Sequence, residues 1–180
     1  YRQVVVKPSR GEQGAGISVD LRERDEVDLA IELAKEHSDR VILEEYCEGQ
    51  DLRIIVINGE VVAAASRRPP EIVGTGEHKI IDLIKRLSRR RSAATSGESR
   101  IPLDGETERC VKNAGYEMED ILPADARLTV RKAANLHTGG TIHDVTEKLH
   151  PELAQAAVKA AAALEITVTG LDFLVPRVDA

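Results

Sequence analysis

Apolar and polar positions alternate in blocks that predict short strands around two strongly amphipathic helices. Val4-Val5-Val6 is a β-branched run that stops at Lys7-Pro8. Glycines follow at 11, 14 and 16, and Ile17-Ser18-Val19 resumes strand-like sequence. Strand, glycine loop, strand is the simplest reading, with the loop free to fold over an anion because glycine lets backbone amides approach closely. The spacing fits neither a Walker A motif nor a dinucleotide fingerprint, and a plain glycine-rich hairpin explains it equally well. From Asp25 to His37, Val27, Ala30, Ile31 and Ala34 fall on one helical face. Val41-Ile42-Leu43 predicts a buried strand. Leu52–Ile57 and Glu60–Ala65 flank Asn58-Gly59, the strongest short hairpin signal.

The pattern loosens at Arg67-Arg68-Pro69-Pro70. Ile80–Arg91 predicts a helix with Ile81, Ile84 and Leu87/Ser88 on one face, and Ser92–Arg100 a mobile loop. Asp104–Ala114 predicts a helix capped by Gly115. Arg127–Lys132 returns to strand, Asn135–Thr141 is a polar glycine loop, and Pro151–Leu164 is an alanine-rich helix with proline in its first turn. Ile166–Thr169 and Leu171–Val175 end the pattern as a strand. Asp172 stands inside that apolar run, where a carboxylate is costly unless paired or metal-bound. The segments are 1–66, an α+β lobe; 67–127, a helical and loop insertion; and 128–180, the start of another lobe.

Composition narrows the function classes. Aromatic content is 2% with no Trp, and net charge is −6, which argues against stacking on nucleic acid or general polyanion binding. Arg89-Arg90-Arg91 reads as a solvated helix end favoured by the dipole. Cys47 and Cys110 have no metal or redox spacing and read as two free, buried thiols of a reducing cytoplasm. No apolar run approaches the roughly 18 residues that span a membrane, and no signal peptide is visible. His137 and His143, with no Cys or acidic partner at metal spacing, read as polar loop residues. The chain starts and stops against strands, which reads as a piece of a longer protein.

Four motifs in order carry a resemblance over essentially the whole chain. They are Val5-Val6-Lys7-Pro8 with the glycine loop, Val41–Tyr46 with Gly49-Gln50-Asp51-Leu52-Arg53, Arg131-Lys132 with Asn135–Thr141, and Gly170-Leu171-Asp172. The chain resembles the ATP-grasp superfamily of carboxylate–amine ligases. Within it, Asn135–Thr146 is most similar to cyanophycin synthetases and relatives that make N-acetylglutaminylglutamine amide. The Arg89–Asp104 insertion leans toward that second, dipeptide-making branch. The resemblance implies an α+β ATP-grasp fold, truncated at both ends, with central and C-terminal lobes of antiparallel sheets and packed helices. It implies an ADP-forming ligase making an amide or peptide bond through an acyl phosphate, with ATP and Mg2+.

Roles follow from the motif matches. Lys7 and the loop carrying Gly11, Gly14 and Gly16 match the phosphate-holding parts. Glu44, Glu45 and Cys47 match the adenine hinge, and Asp51 the ribose acceptor. Arg53, Arg131 and Asn135 match the reaction centre, and Asp172 a magnesium ligand. The family's further magnesium ligands, a Glu-x-Asn, fall beyond this sequence, so the piece alone is expected to bind ATP weakly and not to turn over. Expected partners are small amino acid or peptide substrates, with neither membrane nor nucleic acid, in a homo-oligomer of the full-length protein. The competing reading is a non-catalytic, regulatory ATP-binding module. Lys7, Arg53, Arg131 and Asp172 together speak against it, since a scaffold needs no phosphate-facing charges.

Overall fold

A computed structural model describes residues 3–11 and 14–179. Glu12 and Gln13, inside the predicted glycine loop, lie outside the described residues, as do residues 1, 2 and 180. The chain divides into two compact units, one from residues 1–46 and 69–141, the other from 47–68 and 142–180.

In the first unit, β1 (Val4–Pro8) lies between β2 (Ser18–Leu21) and β3 (Val41–Glu45), antiparallel to both. Helix α1 (Arg24–Lys35) covers this sheet. Its Ala30 and Ala34 are buried with Val6 and Leu21, while Val27 and Ile31 flank them, so the predicted stripe is the packed one. A capping box starts the helix. Glu26 reaches back to the backbone of Glu23, satisfying a donor that the first turn leaves orphaned.

The rest of that unit packs around α2 (Ile80–Ala94) and α3 (Gly105–Asn113), beside β6 (Glu71–Val73) paired with β7 (Arg127–Thr129). Here three expectations are corrected. The buried face of α2 is Ile80, Leu83 and Ile84 rather than one centred on Ile81. The apolar arc is wide enough for either stripe. Backbone bonds from Ile80 to Asp120 and from Ile81 to Met118 fix the rotation. The helix also continues past Arg91 to Ala94, and the predicted mobile loop after it is pinned. Ser99 N–H donates to Thr95 Oγ1 at 2.9 Å, and the Ser99 hydroxyl donates to the Leu136 carbonyl. Finally, the break at Pro69-Pro70 is brief. The Pro70 carbonyl accepts from Val130 N–H at 3.0 Å, and a strand follows at once.

The second unit is a four-stranded sheet in the order β8 (Thr141–Asp144), β5 (Glu60–Arg68), β4 (Gln50–Ile57), β9 (Val168–Val175), with α4 (Pro151–Ala163) on it. Asn58 and Gly59 have φ of 50° and 79°, the left-handed pair a tight hairpin turn requires. Leu52, Ile54, Val56 and Ala64 pack against Ala157 and Ala161, whose small side chains let helix and sheet come close. Contiguity in sequence suggested that this hairpin completes the first 66 residues. The pairing instead joins it to β9, whose eight residues all find partners along β4.

Candidate functional site

The predicted site residues fall into three groups. In the first unit, Lys7 points away from the buried Val6 and Pro8, and its Nζ lies 2.6 Å from Glu44 Oε1. β1 and β3 set this up, since Val5 pairs with Glu44 and Lys7 with Ile42. Glu44 and Glu45 are exposed at the end of β3. Cys47, expected to be buried, is exposed and free; Cys110 is buried and free. Burial pushes the Cys110 thiol up to about 11, helped by the carboxylate of Glu106, so it stays protonated and acts as a small apolar side chain.

A cleft of about 400 Å³ forms the second group, also within the first unit. Gly14, Gly16, His37, Asp104, Arg131 and His137 are among the residues lining it. Gly14 and Gly16 both have positive φ, 77° and 69°. A Cβ on Gly14 would lie 2.8 Å from Asn135 Nδ2, and one on Gly16 2.6 Å from His37 Cδ2, so the loop is seated directly on these side chains. Asn135 is held in turn, its Oδ1 accepting from His137 N–H at 2.8 Å. Gly11 is exposed beside Pro8.

Arg131 is 4% exposed. Its Nη1 donates to Asp104 Oδ1 at 2.6 Å and to Thr107 Oγ1 at 2.8 Å. Asp104 also caps α3, accepting from Thr107 N–H, so one carboxylate both starts the helix and orients the guanidinium. Arg131 Nε is buried and has no partner. A buried donor left unpaired costs about 1–3 kcal/mol, and among the described residues Arg91 Nε is in the same position.

The third group is a charged cluster on the second unit's sheet. Arg53 and Asp172 are direct cross-strand partners, joined by Nε–Oδ1 and Nη2–Oδ2 bonds, both 3.0 Å. Arg67 donates to Asp51 from Nε and to Asp172 Oδ1 from Nη2, both at 2.8 Å. These residues alternate with Leu52 and Ile54, which face α4, so the cluster occupies the other face of the sheet. Asp172 is therefore not a buried carboxylate among apolar neighbours. Its side chain is 48% exposed and neutralised by two guanidiniums.

Three members of these groups are not among the predicted site residues: Arg67, within the predicted break, and Asp104 and Thr107, within the predicted helix 104–114. A period-2 reading of Asp51-x-Arg53 puts both on one face, a signal for the cluster.

The family model for the ATP-grasp domain of prokaryotic glutathione synthetase matches residues 1–77. The cyanophycin synthetase of Trichormus variabilis is 34% identical over 177 residues, covering 95% of this chain and 19% of that protein. The glutathione biosynthesis bifunctional protein of Clostridium perfringens is 29% identical over 182 residues, covering 98% and 23%. The crystal structure of a bifunctional glutathione synthetase from Pasteurella multocida matches 100% of this chain and 26% of its own, with a TM-score of 0.61 and 26% identity. The chain has the ATP-grasp fold. It spans about a fifth of the length of the curated relatives it matches. No helix among the described residues is long and apolar enough to cross a membrane.

The donor chemistry of this ATP-grasp chain separates its two implied ligands. The cleft at Arg131 suits an anionic group, because a fixed guanidinium sits beside a glycine turn. Magnesium does not fit the residues as arranged. It requires several oxygen ligands, yet no three His, Cys, Asp or Glu among the described residues could hold a metal, and Asp172 is occupied by Arg53 and Arg67.

Proposed function

We propose that the chain is part of an ATP-dependent carboxylate–amine ligase, similar to cyanophycin synthetases, that forms an amide or peptide bond through an acyl phosphate and releases ADP. The observation that carries this reading is the cleft that Gly14, Gly16 and Arg131 line together, with the guanidinium fixed by Asp104 and Thr107. ATP, when bound, supplies the phosphoryl group that activates a substrate carboxylate.

In the first unit, Lys7, Gly11, Gly14 and Gly16 are assigned to the phosphates, and Glu44 and Glu45 to the adenine hinge. Arg131, held by Asp104, stabilises negative charge on the transferring group. That charge is best met by donors fixed in advance, since no reorganisation is then needed during reaction. Asn135 holds the glycine turn against this centre. In the second unit, Cys47 and Asp51 are assigned to adenine and ribose, and Arg53 to the reacting phosphate. Arg53 and Asp51 are ion-paired with Asp172 and Arg67, so nucleotide contact would exchange one set of charged partners for another. Amino acids or short peptides are the substrates this reading implies.

The test measures ADP release from protein containing this chain, with ATP, magnesium and a panel of amino acids, dipeptides and aspartate-rich peptides. Stimulation by at least one of them, and its loss in Lys7→Ala, is the expected result. ADP release that no amine or carboxylate stimulates would favour the regulatory ATP-binding module.

A further inference from the structure

Helix α2 carries a concentration of positive charge that its own C-terminus does not explain. Residues 80–103 hold six cations, Lys85, Arg86, Arg89, Arg90, Arg91 and Arg100, against two acids, Asp82 and Glu98, in a protein of net charge −6. The helix runs to Ala94, so Lys85 and Arg89 lie more than a turn inside it. Attraction to the helix dipole fades beyond the last turn; it covers Arg91 but not these two.

Lys85, Ser88, Arg89 and Ser92 recur at three- and four-residue intervals and so form one stripe, about 10 Å long at 1.5 Å per residue. With Arg100 and Ile101 they line a cleft of about 530 Å³ within the first unit. The wall opposite the helix is fixed, because Ile101 N–H donates to Ser88 Oγ at 3.1 Å. Lys85, Arg89 and Arg100 have no ion-pair partner among the described residues.

Two unpaired cations along the helix stripe and a third on the facing loop match a ligand whose negative charges are also strung out, rather than one compact anion. The cleft is lined by no aromatic ring, so it offers bases no stacking platform. Ile101 and Ala93 instead present small apolar surface suited to the methylenes of acidic side chains. We propose that the α2 cleft docks an extended acidic peptide segment bearing at least two carboxylates, read by Lys85, Arg89 and Arg100. The site needs no nucleotide; it shares Arg100 with the cleft at Arg131, and its other lining residues have no part in the ligase reading.

Fluorescein-labelled hexaglutamate, titrated with the full chain at low salt and without ATP, tests this by fluorescence anisotropy. A labelled oligothymidylate serves as the second probe. Saturable binding of hexaglutamate is expected, weakened about tenfold in Lys85→Ala/Arg89→Ala, since two charge-assisted contacts are lost. Arg100→Ala, on the facing loop, weakens it as well, and Lys159→Ala on α4 leaves it unchanged. Thermal melts establish that each variant is folded; should the double variant not be, Lys85→Ala alone decides, since Arg100 also lines the cleft at Arg131. Failure of wild type to bind hexaglutamate, or equal affinity in the folded cleft variants, overturns the proposal. Tighter binding of oligothymidylate overturns it in favour of nucleic acid.

Discussion

Glu26 is expected to make the first unit's stability depend on acid pH. One of its oxygens accepts from the backbone N–H groups of Arg22 and Glu23, at 2.8 and 3.2 Å. The other accepts from Arg109 and Asn113 on α3, both at 3.2 Å. Burial alone would raise its pKa. The backbone donors and the Asn113 and Arg109 side chains outweigh that and hold the carboxyl at about 2, against an ordinary 4.5. A carboxyl whose pKa falls on folding adds stability that is complete above its unfolded value and disappears as pH drops through its folded value. The full difference corresponds to about 3 kcal/mol, and with the side chain 20% exposed, solvent screening leaves about 1–2 kcal/mol. Urea unfolding of wild type and Glu26→Gln at several pH values measures it. The variant is expected to be less stable by that amount at pH 7, with the gap closing between about pH 4.5 and pH 2. A gap that stays constant down to about pH 2.5 would refute the assignment.

Arg131→Met removes a guanidinium held by Asp104 and Thr107. It is expected to abolish thermal stabilisation by ATP while costing about 1–3 kcal/mol in urea unfolding. Gly74→Ala would drive a Cβ into the Pro123 carbonyl and to 2.8 Å from that of Leu122, a loss of about 3 kcal/mol. Gly59→Ala, with φ of 79° but open space around it, is expected to cost only about 1 kcal/mol in the same melts. Ile84→Ala empties a fully buried position in the α2 core and is expected to cost about 2–5 kcal/mol in chemical denaturation. A double-mutant cycle on Arg53 and Asp172 is expected to give a coupling below about 1 kcal/mol, since the pair is roughly half exposed.

Local chemistry in the sequence determined much of the fold. The 3/4 spacing of Val27, Ala30, Ile31 and Ala34 places α1 on its sheet. Asn58-Gly59 places the hairpin, and Pro151 the start of α4. These signals lie within a few residues, and the backbone conformations they favour need no distant partner. Lys7, Gly14, Arg131 and Asn135 were legible as motif residues.

What each of them touches was not. Arg53 meets Asp172 across 119 residues of chain, and only the pairing of β4 with β9 brings them together. The hairpin turn pairs Ile57 with Glu60, a register that, continued unbroken, would set Asp51 opposite Ser66. A bulge between Ile55 and Val56 shifts it by one, so that Arg67 faces Asp51 and reaches Asp172. Likewise, only packing decided that Arg131 is buried against Asp104 and that α2 turns Ile80 rather than Ile81 inward. Sequence specifies the conformations and the charges. Register and packing, which sum over distant segments, decide which charges neutralise one another and which, like Arg131 Nε, are left with a bond to give.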